Sequence, residues 1–197
     1  MDSVTRVATA QREIGLSAGE PPTTRGYPPS VFALLPRLLE RAGSSAVGSV
    51  TGLYTVLVEG GDHDEPVADA ARSVLDGHIV LDRKLANSGH FPSIDVLASV
   101  SRVSTAVTTA AQRERATALR SLLDAHADVK DLVEIGAYVS GTNARADRAL
   151  AQWPDIEQFL RQPKDTIVPA AQAWSELDRL IGVGADGPDD SAGGDAR

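Results

Sequence analysis

The segment SVTGLYTVLVEGGDHDEPVADAARSVLDGHIVL, residues 49–81, sets the architecture. Its opening, SVTGLYTVLVEG (49–60), is rich in β-branched and aromatic residues and bounded by glycine, which is the composition of a buried strand. GGDHDEP (60–66) follows as an acidic loop, PVADAARSVLDG (66–77) as a short helix, and HIVL (78–81) as a further short strand. Strand, helix and strand in succession predict an α/β layer built on a mainly parallel sheet.

Upstream, Val4, Val7, Ala10 and Ile14 recur near helical spacing and predict a helix from about Thr5 to Ala18, with Asp2 and Ser3 as candidate caps. GEPPTTRGYPPS (19–30) excludes regular structure, because each proline lacks a donor and restricts its predecessor. VFALLPRLLERAG (31–43) reads as a second helix, capped by Ser30, kinked at Pro36 and ended by Gly43. Downstream, DRKLANSG gives a helical turn, and HFPSIDVLASVSRV (90–103) a loop and a strand with a polar tip.

Past residue 104 the strand signal stops. TAAQRERATALRSLLDAHADVKDLVEIGAY (109–138) has helical spacing and mixed surface charge, and NARADRALAQ, DIEQFLRQ and VPAAQAWSELDRLIG follow as three more helical stretches. The expected organisation is an α/β core over 1–104, a small helical bundle over 105–181, and a Gly- and Asp-rich disordered tail over 182–197.

Composition bounds the function. The 197 residues are 42% hydrophobic but only 4% aromatic, so Leu, Val, Ile and Ala must supply the core. There are no cysteines, which excludes disulfides and thiolate metal sites. A formal charge of −8 argues against gripping a nucleic-acid backbone. The most apolar stretch, VGSVTGLYTVLV (47–58), is too short and too interrupted to span a bilayer, and no secretory signal opens the chain. The expectation is a soluble cytoplasmic protein. His63, His78, His90 and His126 are scattered without metal-ligand spacing, and no G-x-S-x-G or G-x-x-x-x-G-K-[ST] motif occurs.

DSVTRVATAQREIGLSAGEPPTTRGYPPSVFALLPRLLERAG (2–43) resembles the segment that follows the second nucleotide-binding motif in flagellar and type III secretion export ATPases. The likeness continues through GSVTGLYTVLVEGGDHDEPVADAARSVLDGHIVLDRKLANSGHFPSIDVLASVSR (48–102) and more loosely through the helical remainder. It implies the C-terminal part of a RecA-like ATPase core followed by a helical domain. Such enzymes bind ATP with Mg²⁺ and work as homo-hexameric rings. The partners implied are a central stalk protein, a negative regulator, export chaperones and cargo, at the cytoplasmic side of a membrane export gate, with no nucleic acid.

The resemblance also implies roles, beside which the residues keep plainer readings. Asp2 matches the acid that orients Mg²⁺ through water, and is otherwise a helix cap. Arg102 matches an arginine finger acting in trans on a neighbouring subunit's nucleotide, and is otherwise a surface arginine at a strand end. Phe91 matches an aromatic against adenine, and Gln162 and Pro163 a second wall of that base pocket, whereas Phe159 reads as core. Lys164 stands where rotary relatives tend to carry another aromatic. Asp62, Asp64 and Glu65 match a loop that meets the stalk, and otherwise form a solvated acidic turn.

The phosphate-cradling loop and the glutamate that polarises water have no counterpart here, so Met1 reads as an internal methionine or a cut, and the chain alone is expected not to hydrolyse ATP. Two other readings stand behind this one: a rotary ATP synthase subunit, and a non-catalytic module that binds chaperones or cargo.

Overall fold

The computed structural model describes residues 1–58, 60–61 and 65–182, so the tail expected to be disordered lies outside the described residues beyond Gly182. The chain divides into two compact units, residues 1–78 and 79–197. Among the described residues no helix is long and apolar enough to cross a membrane.

In the first unit, α1 (Val4–Ser17) begins where the Ser3 hydroxyl accepts the Arg6 amide at 3.3 Å. Helix α2 (Pro29–Leu39) starts two residues before the expected helix. Proline is pre-set for the first turn of a helix, so Pro29 opens it and Ser30 lies inside rather than capping it. The carboxylate of Glu20 instead accepts the orphan Ser30 amide at 3.1 Å. Gly43 does not end α2 but opens β1 (Gly43–Ser45), which pairs antiparallel with β2 (Gly48–Val50) as an exposed hairpin.

The buried strand expected over 49–60 is only partly formed. Beyond Val50, among the described residues, Thr55 bridges Asp2 in parallel, where the Thr55 amide donates to Met1 O at 3.1 Å and the Val4 amide to Thr55 O at 2.9 Å. The alternation of a pleated chain explains the burial: Tyr54 and Val56 pack on the helices, while Leu53 and Leu57 on the opposite face are 82% and 54% exposed. One face is buried, not two.

Helix α3 (Pro66–Val74) completes this unit. The core is one stripe per helix at four-residue spacing: Val4 and Ala8, then Val31, Leu35 and Leu39, then Val67 and Ala71, closed by Tyr27. Gly15 permits the close approach of the chain after α1, since a Cβ there would lie 2.8 Å from Pro28 and 2.9 Å from Ser30.

Strand β3 (Gly77–Leu81) crosses the division and forms a two-stranded sheet with β4 (Ile94–Ser101), the Asp82 amide donating to Ser93 O at 2.8 Å. Between them α4 (Arg83–Asn87) is capped by Asp82 on the Lys84 amide. The described sheet is therefore two separate strand pairs plus the Thr55 bridge. After the short α5 (Ser104–Val107), α6 (Ala110–Glu134) starts at a capping box in which Thr109 and Gln112 satisfy each other's amides. Helices α7 (Ala144–Leu160) and α8 (Ala170–Gly182) pack on α6. Leu119, Leu122, Leu123, Ala149, Ile156 and Leu177 form the centre of that core.

Two of the expected helical stretches, 143–152 and 155–162, are one helix. Pro154 sits within α7 on its exposed side, where the carbonyl it leaves without an amide can face water. The compact units divide at 78/79, and β4 packs against α6.

His126 on α6 stacks on Trp153 of α7, with centroids 3.4 Å apart and planes 3° from parallel. Burial, and then the Lys130 ammonium, hold its imidazole below the usual histidine pKa, with Glu157 partly opposing. A depressed folded pKa means the unfolded chain binds the proton more readily, so this contribution is complete above about pH 6.5 and is lost as pH falls towards the folded value. Urea denaturation at pH 8 and pH 5 is expected to show that loss, and a His126→Leu variant to remove that part of the pH dependence.

Candidate functional site

The site is best built from the end of β4. Arg102 follows Ser101 directly, in the exposed turn that leads into α5. Its neighbourhood is held from α6. Arg120 reaches back to the strand, Nη1 donating to Val96 O at 2.6 Å and Ser99 O at 3.4 Å, and Nη2 to Leu97 O at 2.9 Å. Successive carbonyls of a flat strand point to opposite sides, so one guanidinium can gather 96, 97 and 99 only where the chain turns. Asp95 makes that turn: its carboxylate accepts the Ala98 amide at 2.9 Å and its carbonyl accepts the Ser99 hydroxyl at 2.5 Å. On the far side of Arg102, Arg113 donates from Nη1 to Thr108 O at 2.5 Å and Thr105 O at 3.3 Å.

Phe91, Gln162 and Pro163 do come together. The Gln162 amide donates to Phe91 O at 2.9 Å, Gln162 Nε2 to Thr166 O at 2.5 Å, and the Thr166 amide to Pro163 O at 3.0 Å. The Phe91 ring is 56% exposed. Beside Pro163 lies a shallow open depression of about 460 Å³ lined also by Pro154, Glu157, Gln158 and Arg161. Phe159 packs against the helical core.

Asp2 lies in the first unit, where its Oδ1 accepts the Thr55 hydroxyl at 3.0 Å beside the parallel bridge. The Asp2–Ser3 peptide is cis. An exposed carboxylate at a strand end fits one indirect contact to a hard cation, not a complete site. Among the described residues no group of three or more His, Cys, Asp or Glu gathers to hold a metal.

Of the acidic loop, Asp62 and Asp64 lie outside the described residues. Glu65 stands at the start of α3. It is 8% exposed and caps α3 by accepting the Ala68 amide at 3.2 Å. Burial, then the charge of Glu65, raise the Tyr27 pKa, with Arg12, whose guanidinium sits 5.1 Å from the ring centroid, opposing. That polar cluster, and the arginines on α6, escaped the sequence reading. The Arg120 contacts span 21–24 residues and carry no local pattern.

With the geometry in hand, comparison with known proteins is direct. The profile of the ATP synthase alpha/beta family, nucleotide-binding domain, matches residues 1–101, and that of the T3SS EscN ATPase C-terminal domain matches 108–179. The chain belongs to the ATP synthase alpha/beta family. Within it, the flagellum-specific ATP synthase of Bacillus subtilis (strain 168) is 52% identical over 182 residues, which is 92% of this chain and 42% of the relative. The assembled ATPase EscN from the type III secretion system of enteropathogenic E. coli superposes with a TM-score of 0.87 at 42% identity, over 91% of this chain and 43% of that one. EscN in complex with its central stalk EscO gives 0.80 at 41% identity, over 91% and 42%. The chain thus shares the fold of flagellar and type III secretion ATPases and spans about two-fifths of their length.

The placement of Glu65 is open to a direct check. Glu65→Ala is expected to cost about 1–2 kcal/mol of stability in urea denaturation, the usual loss for a helix cap, whereas a solvated loop side chain would cost nothing measurable.

Proposed function

We propose that this chain is the part of an ATP-driven protein export motor that presents an arginine to the nucleotide of a neighbouring subunit. The observation that carries the reading is the exposed Arg102 at the end of a strand whose main chain is fixed on both sides by α6. A guanidinium stays charged and forks onto two oxygens, so placed across a subunit boundary it stabilises the charge that develops on a transferring γ-phosphoryl group. Phe91 would lie against the adenine face, with the Gln162–Pro163 turn as the second wall of that pocket, its backbone already tied to Phe91. Asp2 would hold one water of a nucleotide-bound Mg²⁺, an ion that neutralises phosphate charge when present.

The assembly in this reading is a homo-hexameric ring around a central stalk, as the assembled EscN and its EscO complex support by analogy. Cargo, export chaperones and a negative regulator complete the partner set, at the cytoplasmic face of a membrane export gate. The match of 108–179 to a type III secretion ATPase domain favours export over a rotary synthase subunit.

The test is a chimera in which this chain replaces the matching segment of the Bacillus subtilis relative. The chimera is expected to form rings and hydrolyse ATP in the presence of Mg²⁺, with Arg102→Ala lowering kcat by about 10³-fold or more and leaving the rings intact. The chain by itself is expected to show no turnover. An Arg102→Ala chimera that hydrolyses ATP at the unaltered rate would remove the proposal.

A further inference from the structure

We propose that Arg120 is a positioning residue for Arg102. The inference rests on Arg102 acting on a nucleotide, and concerns how an exposed side chain is aimed. Arg102 sits three residues beyond Ser99, the last carbonyl that Arg120 holds, and three before Thr105, the first that Arg113 holds. Both arginines lie on α6, seven residues apart and so on the same side of that helix. The segment from 96 to 108 is therefore pinned to one rigid helix at both ends, with Arg102 at its middle.

The chemistry of the grip is specific to arginine. Three carbonyls facing two nitrogens of one planar fork fix a direction as well as a distance. Lysine would bring the same charge as a rotatable point donor and could not hold 96, 97 and 99 in one plane. Asp95 holds the turn locally and Arg120 ties it to α6, so losing Arg120 removes the tie that fixes the strand end against the helix. Arg120 touches no substrate in this account. Its influence passes through the backbone.

The consequence is a link between the helical bundle and the reactive arginine. Leu119, beside Arg120, and Leu122 and Leu123 on the next turn are buried in the bundle core. A shift of α6 within that core moves the carbonyl grip, and with it Arg102.

Two arms test this. In the full chain, amide hydrogen exchange is measured residue by residue for wild type, Arg120→Gln and Arg120→Lys. Exchange over 96–108 is expected to rise about tenfold in Arg120→Gln while the buried amides of α6 and α7 keep their protection, with Arg120→Lys in between. In the chimeric ring, Arg120→Gln is expected to lower kcat by about 10²-fold with KM for ATP little changed, and to add nothing in an Arg102→Ala background.

Unaltered exchange over 96–108 overturns the positioning whatever the turnover shows. So does a loss of kcat that is as large with Arg102 already removed, since Arg120 would then act on its own account. Loss of protection through α6 and α7 in both variants would show a purely structural residue and would also overturn it. If Arg102→Ala leaves the ring's turnover unaltered, the reading of Arg102 fails, while the exchange arm still decides whether Arg120 fixes the strand end.

Discussion

The contact on which the second unit depends is the fork of Arg120 across the carbonyls of Val96, Leu97 and Ser99. A strand pair of five and eight residues is too small to stand alone in water. Here β4 is carried by α6, through packing and through charge-assisted hydrogen bonds that are stronger than neutral ones. The same helix supplies the bundle core through Leu119, Leu122 and Leu123, and Val96 and Leu97 of β4 pack against that core. Helix α6 is thus a spine shared by strand and bundle. This is why the compact unit runs back to residue 79 although the two family profiles meet near residue 104.

The first unit answers a different constraint. Three helices meet along stripes spaced four residues apart, so their apolar contact is narrow and polar groups must close the rim. Glu65, Tyr27 and Arg12 do that together. Burying a carboxylate is costly unless it is hydrogen-bonded, and Glu65 is provided for by the Ala68 amide. The Arg12 guanidinium over the Tyr27 ring brings compensating positive charge to the same place. A residue that sits in an acidic run in the sequence is, in the fold, the cap that starts α3.

These cases show what was legible. Helices with a periodic apolar face, α1, α3, α6 and α8, were read close to their observed starts, because their stripes are local, while α3 and α6 end at Val74 and Glu134, short of the expected limits. Ser30 was misplaced because a distant acid, Glu20, caps the helix in its stead. The 49–60 strand was read as buried because a run of apolar residues does not reveal how many of its faces are covered; Leu53 and Leu57 are not. The stretches 143–152 and 155–162 read as two helices, yet a solvent-facing proline, Pro154, lets α7 run through. For the site, Arg102, Phe91, Gln162 and Pro163 were found through resemblance and not through any motif of their own. The structure adds that Phe91 and Gln162 are joined through the main chain across 71 residues, a pairing without local signature.

Main-chain fixation beneath exposed side chains is the common logic of the candidate site. A group that must reach another molecule has to be exposed, yet an exposed long side chain is free to wander, and ordering it costs about 1–2 kcal/mol of conformational entropy. Packing the side chain would solve the second problem by creating the first. Holding the backbone on either side leaves the side chain exposed and restricts where its root can be. The segment around Arg102 is held in this way by Arg113 and Arg120, and Phe91 by the Gln162 amide on its own carbonyl. In both places the holding group comes from the helices that follow the α/β segment. The helical part of the chain is on this account an integral support of the surface proposed to face nucleotide: separated from it, residues 79–102 would keep their sequence and lose their aim.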